Sequence, residues 1–417
     1  MTQPPKVVES HVPSATRSVG RHIPALDGLR GIAIALVLVY HFDFVFNLEY
    51  GRESNWAIDG VASTFAGAGW AGVDLFFVLS GFLITGILID SRTAARRYLA
   101  TFYARRLLRI FPAYYVFLLL MLFVVLPAFD EPAAREALRD NFPWYVLYLS
   151  NFLIAGLLNA VNTGLRGDFL FVGHVWSLAV EEQFYLIWPT FVLVFNQRAL
   201  VWVCSVGVVV ALVLRIILLA LDLQIGLSTT LAPARMDALA LGALVSLAVR
   251  DPAGLGWLTR SAGPAAIIAL VGIAGLGIAE GAFALDSGWV RTVGFTGVAV
   301  LFAATLAIAL RLRAASPAEA ALSNSALRWL GHYSYAIYLW HLPIAVLLAR
   351  QIEFSDAIPA LAGSTFPAEI LFATSASAVA FLAAWLSWKL LESQFLKLKV
   401  RVPYATTVEP ATAASAS

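Results

Sequence analysis

The sequence predicts an all-α, polytopic membrane protein of about ten transmembrane helices with one re-entrant or interfacial segment. Two observations carry that reading. Hydrophobic residues fill 60% of the 417 positions and charged residues only 13%, for a mean hydropathy of +0.80, more apolar sequence than a soluble core needs. Several apolar runs also exceed the roughly 18 consecutive residues that mark a transmembrane helix. The Arg and Lys residues sit between these runs and form no single basic face, so with a formal net charge of +2 nothing points to nucleic acid as a partner. The one cysteine, Cys204, lies inside an apolar run, which leaves no disulfide framework and no thiolate metal site; no metal is expected.

Ten runs read as spans: Leu26 to Asn47, Gly69 to Asp90, Ile110 to Ala128, His174 to Phe195, Ala199 to Leu221, Ala232 to Val249, Pro264 to Ala279, Trp289 to Leu310, Leu330 to Ala349 and Glu369 to Leu391. The expected organisation is a disordered tail over 1–22, one membrane domain over 23–395 and a second tail over 396–417. Met1 to Val19 is polar, holds three prolines and lacks the apolar core of a signal peptide, so the first span is expected to direct insertion itself. From Ala405 onward the chain is mostly Ala, Thr and Ser.

Orientation turns on Phe142 to Leu158, a shorter apolar stretch interrupted by Asn151 and Gly156. If it crossed, Arg311, Arg313 and the Lys389, Lys397, Lys399, Arg401 tail would face outside, against the positive-inside tendency. If it dips in and returns, Arg92 to Arg109, Arg198, Arg250, Arg260, Arg311 to Arg328 and the Lys-rich tail all fall on the cytoplasmic side. Glu49, Asp59, Asp130 to Asp140, Asp222, Glu280, Asp286, Glu353 and Asp356 then lie outside, with Arg52, Arg135, Arg139, Arg166 and Arg291 as exceptions. The second arrangement explains the charges better. It gives a multi-pass protein of the cell membrane, inner or plasma, with both termini cytoplasmic.

In the first span, Asp27-Gly-Leu-Arg30 precedes an apolar run ending in Tyr40-His41. Eleven residues are about three helical turns, so Arg30 and His41 project from one face about 16 Å apart, about half a bilayer core. An intramembrane imidazole is a functional-site hypothesis by default; the structural alternative is a His bonded between helices and an Arg snorkelling to the headgroups. In the second span, Asp74 near an outer helix start would also complement the helix dipole, and Ser80-Gly81 suits close helix packing.

The loop before the third span carries Arg92, Arg96, Arg97, Arg105, Arg106 and Arg109. Such loops commonly set orientation or bind anionic lipid. Arg105, Arg106 and Arg109, at i, i+1 and i+4, crowd like charges at a cost of a few tenths of a kcal/mol per pair. A polyphosphate ligand would relieve it, because guanidinium groups bind phosphate bidentately.

The fourth span opens His174-Val-Trp176-Ser177-Leu-Ala-Val-Glu181-Glu182-Gln183-Phe-Tyr185. Two adjacent carboxylates about two turns inside a span cannot both be charged there without partners. They suit proton transfer; the structural alternative is an ion pair with Arg235 or Arg215. Ser177 and Tyr185 lie four residues either side of Glu181 and share its face. Span six begins Pro233-Ala-Arg235-Met-Asp237, where Arg235 either snorkels or lines a polar cavity. Span nine carries an interfacial His332 and, nine positions on, His341 among Tyr335, Tyr338 and Trp340, which read as a packed aromatic wall.

With these motifs in order, the chain resembles the acyltransferase 3 family of integral-membrane acyltransferases, which includes O-antigen and peptidoglycan O-acetylases and antibiotic-modifying enzymes. The matching stretches run from Asp27-Gly-Leu-Arg30 with His41, through Gly72-Val-Asp74, Arg105-Arg106-Leu-Leu-Arg109, Trp176-Ser177-Leu-Ala-Val-Glu181-Glu182 and Arg235-Met-Asp237, to Ser334-Tyr335-Ala-Ile-Tyr338-Leu-Trp340-His341. One departure is Leu391-Glu392-Ser393-Gln394, which keeps only the Glu of a Glu-Arg-Pro-type ending.

The resemblance implies transfer of an acyl group, usually acetyl from acetyl-CoA, to a hydroxyl of a carbohydrate, lipid-linked or small-molecule acceptor in the bilayer. It implies that Arg30 and His41 are essential and that Arg106 and Arg109 belong to the donor site, where Arg105 is also a candidate. His41 is expected to act as general base or transient acyl carrier, with Glu181 or Glu182 orienting an imidazole or receiving the proton. Asp74, His174, Ser177, Tyr185, Arg235 and His341 are the candidate substrate-binding residues. Many relatives add a soluble extracytoplasmic domain, whereas this sequence stops soon after its tenth span, so a second transfer step would call for another protein. A transporter or exporter is the rival reading, but no matching half-sequences of the inverted-repeat kind stand out.

Overall fold

The computed structural model describes residues 23–50, 57–92, 98–156, 170–352, 354 and 364–402. The expected N-terminal tail, Arg52, Arg96, Arg97, Arg166, Glu353, Asp356 and residues 403–417 lie outside them. Every regular element among the described residues is helical. The long helices are α1 (Pro24–Tyr50), α2 (Ala57–Gly67), α3 (Ala71–Ser91), α4 (Tyr98–Leu120), α5 (Pro132–Val146), α6 (Trp176–Val194), α7 (Gln197–Ala220), α8 (Ala232–Ala248), α9 (Pro252–Glu280), α10 (Phe295–Ala309), α11 (Ser325–Gln351) and α12 (Phe366–Ser387).

A helix stands at each of the ten expected spans, and the protein is a multi-pass membrane protein. Among the described residues, eight helices are long and apolar enough to cross a bilayer, counting α2 with α3 and the turns that prolong α4 and α12. The other two expected spans are α6 and α11, which carry the carboxylate pair and the His-Tyr-rich stretch. Their polar residues lower the hydropathy of these two helices, and of those residues Ser177, Ser334 and His341 are buried in the bundle.

The stretch after α5 does not continue as one helix. Tyr148 takes a left-handed backbone conformation (φ 55°), and among the described residues a five-residue helix, Ser150–Ile154, follows it. Its amides explain its docking. Nε2 of Gln183 on α6 donates to Oδ1 of Asn151 at 2.9 Å and to the Tyr148 carbonyl at 3.0 Å. A buried carboxamide needs such partners, so Asn151 fastens the broken segment to α6.

The bundle is organised by close pairings of α1 with α11 and α3 with α8. At the first contact there is no room for side chains: a Cβ on Gly31 would overlap the Leu327 carbonyl, and one on Gly331 the Asp27 carbonyl. Small residues at such crossings let backbones meet in lipid, where packing drives association. Ion pairs stand at both ends of the bundle. At the His41 end of α1, Arg350 bonds Glu49 at 3.1 Å and Glu131 at 2.6 Å. At the Arg30 end, Arg250 grips Asp90 with two bonds of 2.7 and 2.8 Å.

Gly31→Val and Gly331→Val are each expected to destabilise the bundle by about 1–3 kcal/mol through overpacking, read as a lower thermal midpoint in detergent. Gly272→Val, where a Cβ meets nothing within 4 Å, should not lower it.

Candidate active site

A cavity of about 220 Å³ opens among α1, α3, α4, α6 and α11 at the Arg30 end. Arg30, Arg106, Arg109, Glu181, Glu182 and Tyr185 give it a charged wall, and Phe76, Phe77, Leu79 and Leu83 of α3 an apolar one. The helix registers explain this gathering. Arg106 and Arg109 are one turn apart on α4, and Glu181 and Tyr185 one turn apart on α6, so each pair faces the cavity together.

Within the cavity a polar chain runs from Ser80 to Tyr185 to Glu181. The Tyr185 hydroxyl donates to Oε2 of Glu181 at 2.9 Å and shares a short hydrogen bond with Ser80 Oγ, while the Arg106 guanidinium lies 4.8 Å from the centroid of the Tyr185 ring. Three guanidinium groups face two carboxylates here. The balance favours an anionic ligand.

Ser177 and Tyr338 also line the cavity, and their hydroxyls lie 2.6 Å apart. Tyr338 also donates to the His174 carbonyl at 2.7 Å. Beside Tyr338 three imidazoles pack together: His341 lies 5.1 Å from His174 and 4.9 Å from His41, centroid to centroid. Nε2 of His341 and Nδ1 of His41 are 3.2 Å apart. His41 is half-buried and is not among the cavity's lining residues. Tyr338 thus touches both regions: it lines the guanidinium cavity, and its ring centroid lies 5.3 Å from that of His174 and 5.5 Å from that of His341.

Several expectations are corrected. Glu181 and Glu182 line the guanidinium cavity and orient no imidazole among the described contacts; nor does Glu181 pair with Arg235 or Arg215. Those arginines are taken. Arg235 bonds Asp74 at 2.7 Å, both buried. Arg215 bonds Asp237 at 2.7 Å and also donates to the Ala234 carbonyl and to Thr296. Asp74 and Arg235 lie outside the cavity lining and act as a bridge between α3 and α8; Arg235 does not snorkel, because burial against Phe295, 3.8 Å from ring centroid to guanidinium carbon, leaves it no path to the surface.

Arg105 also turns away from the cavity. It donates to the carbonyls of Lys399 and Val402 at 3.3 and 2.8 Å, so it ties the first residues of the expected tail, helical through Arg401, to α4. Neighbouring residues on a helix point about 100° apart, and here Arg106 lines the cavity while Arg105 reaches the carbonyls beyond Leu398. His341 is part of the imidazole cluster and His174 is buried beside it, with its Nε2 3.2 Å from the Leu339 carbonyl. Tyr338 is the residue that motif reading assigned to mere packing. A phenol inside a span needs a hydrogen-bond partner, and that need was the signal for it.

Fold and site together define the class: a polytopic helical membrane protein whose bundle encloses a cationic cavity backed by buried imidazoles. The chain belongs to the acyltransferase 3 family, whose model, described as an acyltransferase domain, matches residues 23–389. It is 31% identical over 376 residues to the peptidoglycan O-acetyltransferase OatA of Listeria monocytogenes, covering 86% of this chain and 56% of that protein. It is 28% identical over 345 residues to the O-acetyltransferase OatA of Staphylococcus aureus, covering 79% and 51%. The chain thus spans about half the length of the curated relatives it matches. No solved structure matches it.

Asp74→Ala would strand a buried guanidinium and is expected to destabilise the protein by about 3–5 kcal/mol. Removing both charges, as Asp74→Ala with Arg235→Leu, should recover much of that loss. Thermal unfolding of the three proteins in one detergent checks it.

Proposed function

We propose that this protein is an integral-membrane O-acyltransferase that moves an acyl group, acetyl foremost, from a cytoplasmic acyl-CoA to a hydroxyl of a carbohydrate, lipid-linked or small-molecule acceptor. The single observation that carries the donor half is the cluster of Arg30, Arg106 and Arg109 in one cavity whose lining residue Tyr338 packs against His341, the neighbour of His41. A cavity of about 220 Å³ is smaller than the ~300–1,000 Å³ of a whole small-molecule site. It suits the thioester end of a pantetheine arm, with the phosphates held by guanidinium groups at its mouth. The positive-inside tendency supports a cytoplasmic side for that mouth and for both termini. The names of the relatives support a peptidoglycan sugar as one acceptor of the right chemistry.

In this reading His41 removes the acceptor's proton as its oxygen attacks the thioester carbon. The C–S bond then breaks, and the thiolate leaves and takes the proton back from the imidazolium. An acyl-imidazole on His41 is the two-step variant of the same chemistry. Either route has the Tyr338 ring turn aside, because Tyr338 lines the thioester's cavity and packs against His341 beside the imidazole. Glu181, bonded to Tyr185, holds the charged wall in register with the guanidinium groups.

His41→Ala is expected to reduce transfer by 10²-fold or more while acetyl-CoA binding survives. Arg106→Ala should instead weaken donor binding about 10- to 100-fold, the value of one or two charge-assisted hydrogen bonds. Purified protein in nanodiscs, labelled acetyl-CoA and a panel of hydroxyl acceptors measure both. The opposite pattern would reverse the roles, and ion flux without thioester turnover would replace the enzyme with a transporter.

A further inference from the structure

The hydrogen bonds around the imidazole cluster decide where its protons sit. Nδ1 of His341 lies 2.7 Å from the Tyr338 carbonyl and 3.2 Å from the Ile337 carbonyl. Both neighbours only accept, so this nitrogen carries the proton. In the neutral ring Nε2 is then the lone-pair nitrogen. That atom faces Nδ1 of His41 at 3.2 Å, and the other neighbour of the same Nδ1 is the Val37 carbonyl at 3.0 Å. Two acceptors again face one nitrogen, and Nδ1 of His41 must donate.

We infer that His341 is a positioning residue that holds His41 in its Nδ1–H tautomer, leaving the Nε2 lone pair of His41 to meet the acceptor hydroxyl. The inference rests on the reading of His41 as the group that takes the hydroxyl proton. His341 thereby occupies the place that an orienting carboxylate fills in a nucleophile–base–orienter triad. A neutral imidazole suits the site, since it orients the base without adding a charge to the apolar bundle. Val37 cannot serve as well by itself. Its carbonyl is also the helical acceptor for the His41 backbone N–H, four residues on, so the side chain only shares it. When Nε2 takes up a proton, the strengthened Nδ1–H donor has the unshared lone pair of His341 to point at, and the Tyr338 carbonyl holds that second ring in place.

The experiment uses the full chain, ¹⁵N-labelled at histidine, in nanodiscs, with His41 resonances assigned by their loss in His41→Ala. Wild-type His41 should show a protonated Nδ1 and a bare Nε2. In His341→Leu both tautomers should appear, and kcat should fall roughly 10- to 100-fold, as for loss of an orienting partner, with the KM for acetyl-CoA unchanged. His341→Gln, whose side-chain carbonyl reaches the place of Nε2, should restore the single tautomer and most of kcat. A wild-type His41 protonated at Nε2 overturns the proposal, whatever the variants do. So does His341→Leu with an unchanged tautomer and kcat, which would assign the role to Val37 alone. Transfer that survives in His41→Ala would instead overturn the general-base reading, and the tautomer result would stand apart from it.

Discussion

A charge in the interior of a helical bundle in lipid must be paired, solvated or held for a ligand, and the arrangement of this protein follows from that constraint. Asp74 with Arg235 and Asp237 with Arg215 and Thr296 are paired sets that join α3, α7, α8 and α10. Their worth as net stability is small, because desolvation offsets the attraction, but they fix which helices meet and in what register. The set of Arg30, Arg106, Arg109, Glu181 and Glu182 is different: its members line open space. Among the described residues the bundle therefore holds two charge-matched pairs and one set in which three guanidinium groups face two carboxylates across a cavity of about 220 Å³.

Neutral polar groups do comparable work where charges would cost too much. Gln183 and Asn151 fasten the broken segment to α6, Ser177 and Tyr338 bond each other in the cavity lining, and the Tyr50 hydroxyl donates to the Ala349 carbonyl at 2.6 Å to join the ends of α1 and α11. Each is a buried donor or acceptor that would be expensive if unmet. Met as they are, they turn an apolar bundle with few directional contacts into one with a specified arrangement.

Much of this was readable from the chain. The spans followed from apolar run length, the broken stretch from Asn151 and Gly156, and the cavity's charged wall from the spacing of Arg106 with Arg109 and of Glu181 with Tyr185, since local periodicity fixes which residues share a face. Pairings distant in sequence were not readable. Asp74 meets Arg235 across 161 residues and His41 meets His341 across 300, and no periodicity on one helix says which face of another it will touch. Arg105 was grouped with Arg106 and Arg109 because the motif was read as a unit, whereas its side chain reaches the carbonyls of Lys399 and Val402. The sequence left the Glu pair either to orient an imidazole or to receive a proton; what one helix could not show is that guanidinium groups on α4 and α1 share its cavity.

The pair of Ser177 and Tyr338 bears on how such a site could work. A thioester that stood permanently open to a base and a water-filled acceptor path would be hydrolysed; excluding water until the acceptor arrives avoids that loss. A phenol held by two hydrogen bonds, to Ser177 and to the His174 carbonyl, is a suitable partition, because its release requires those two bonds to be replaced. An acceptor rich in hydroxyls can replace them, whereas an apolar molecule cannot. The same polarity that selects a sugar-like acceptor would then open the passage for it, and recognition and access would be one event rather than two.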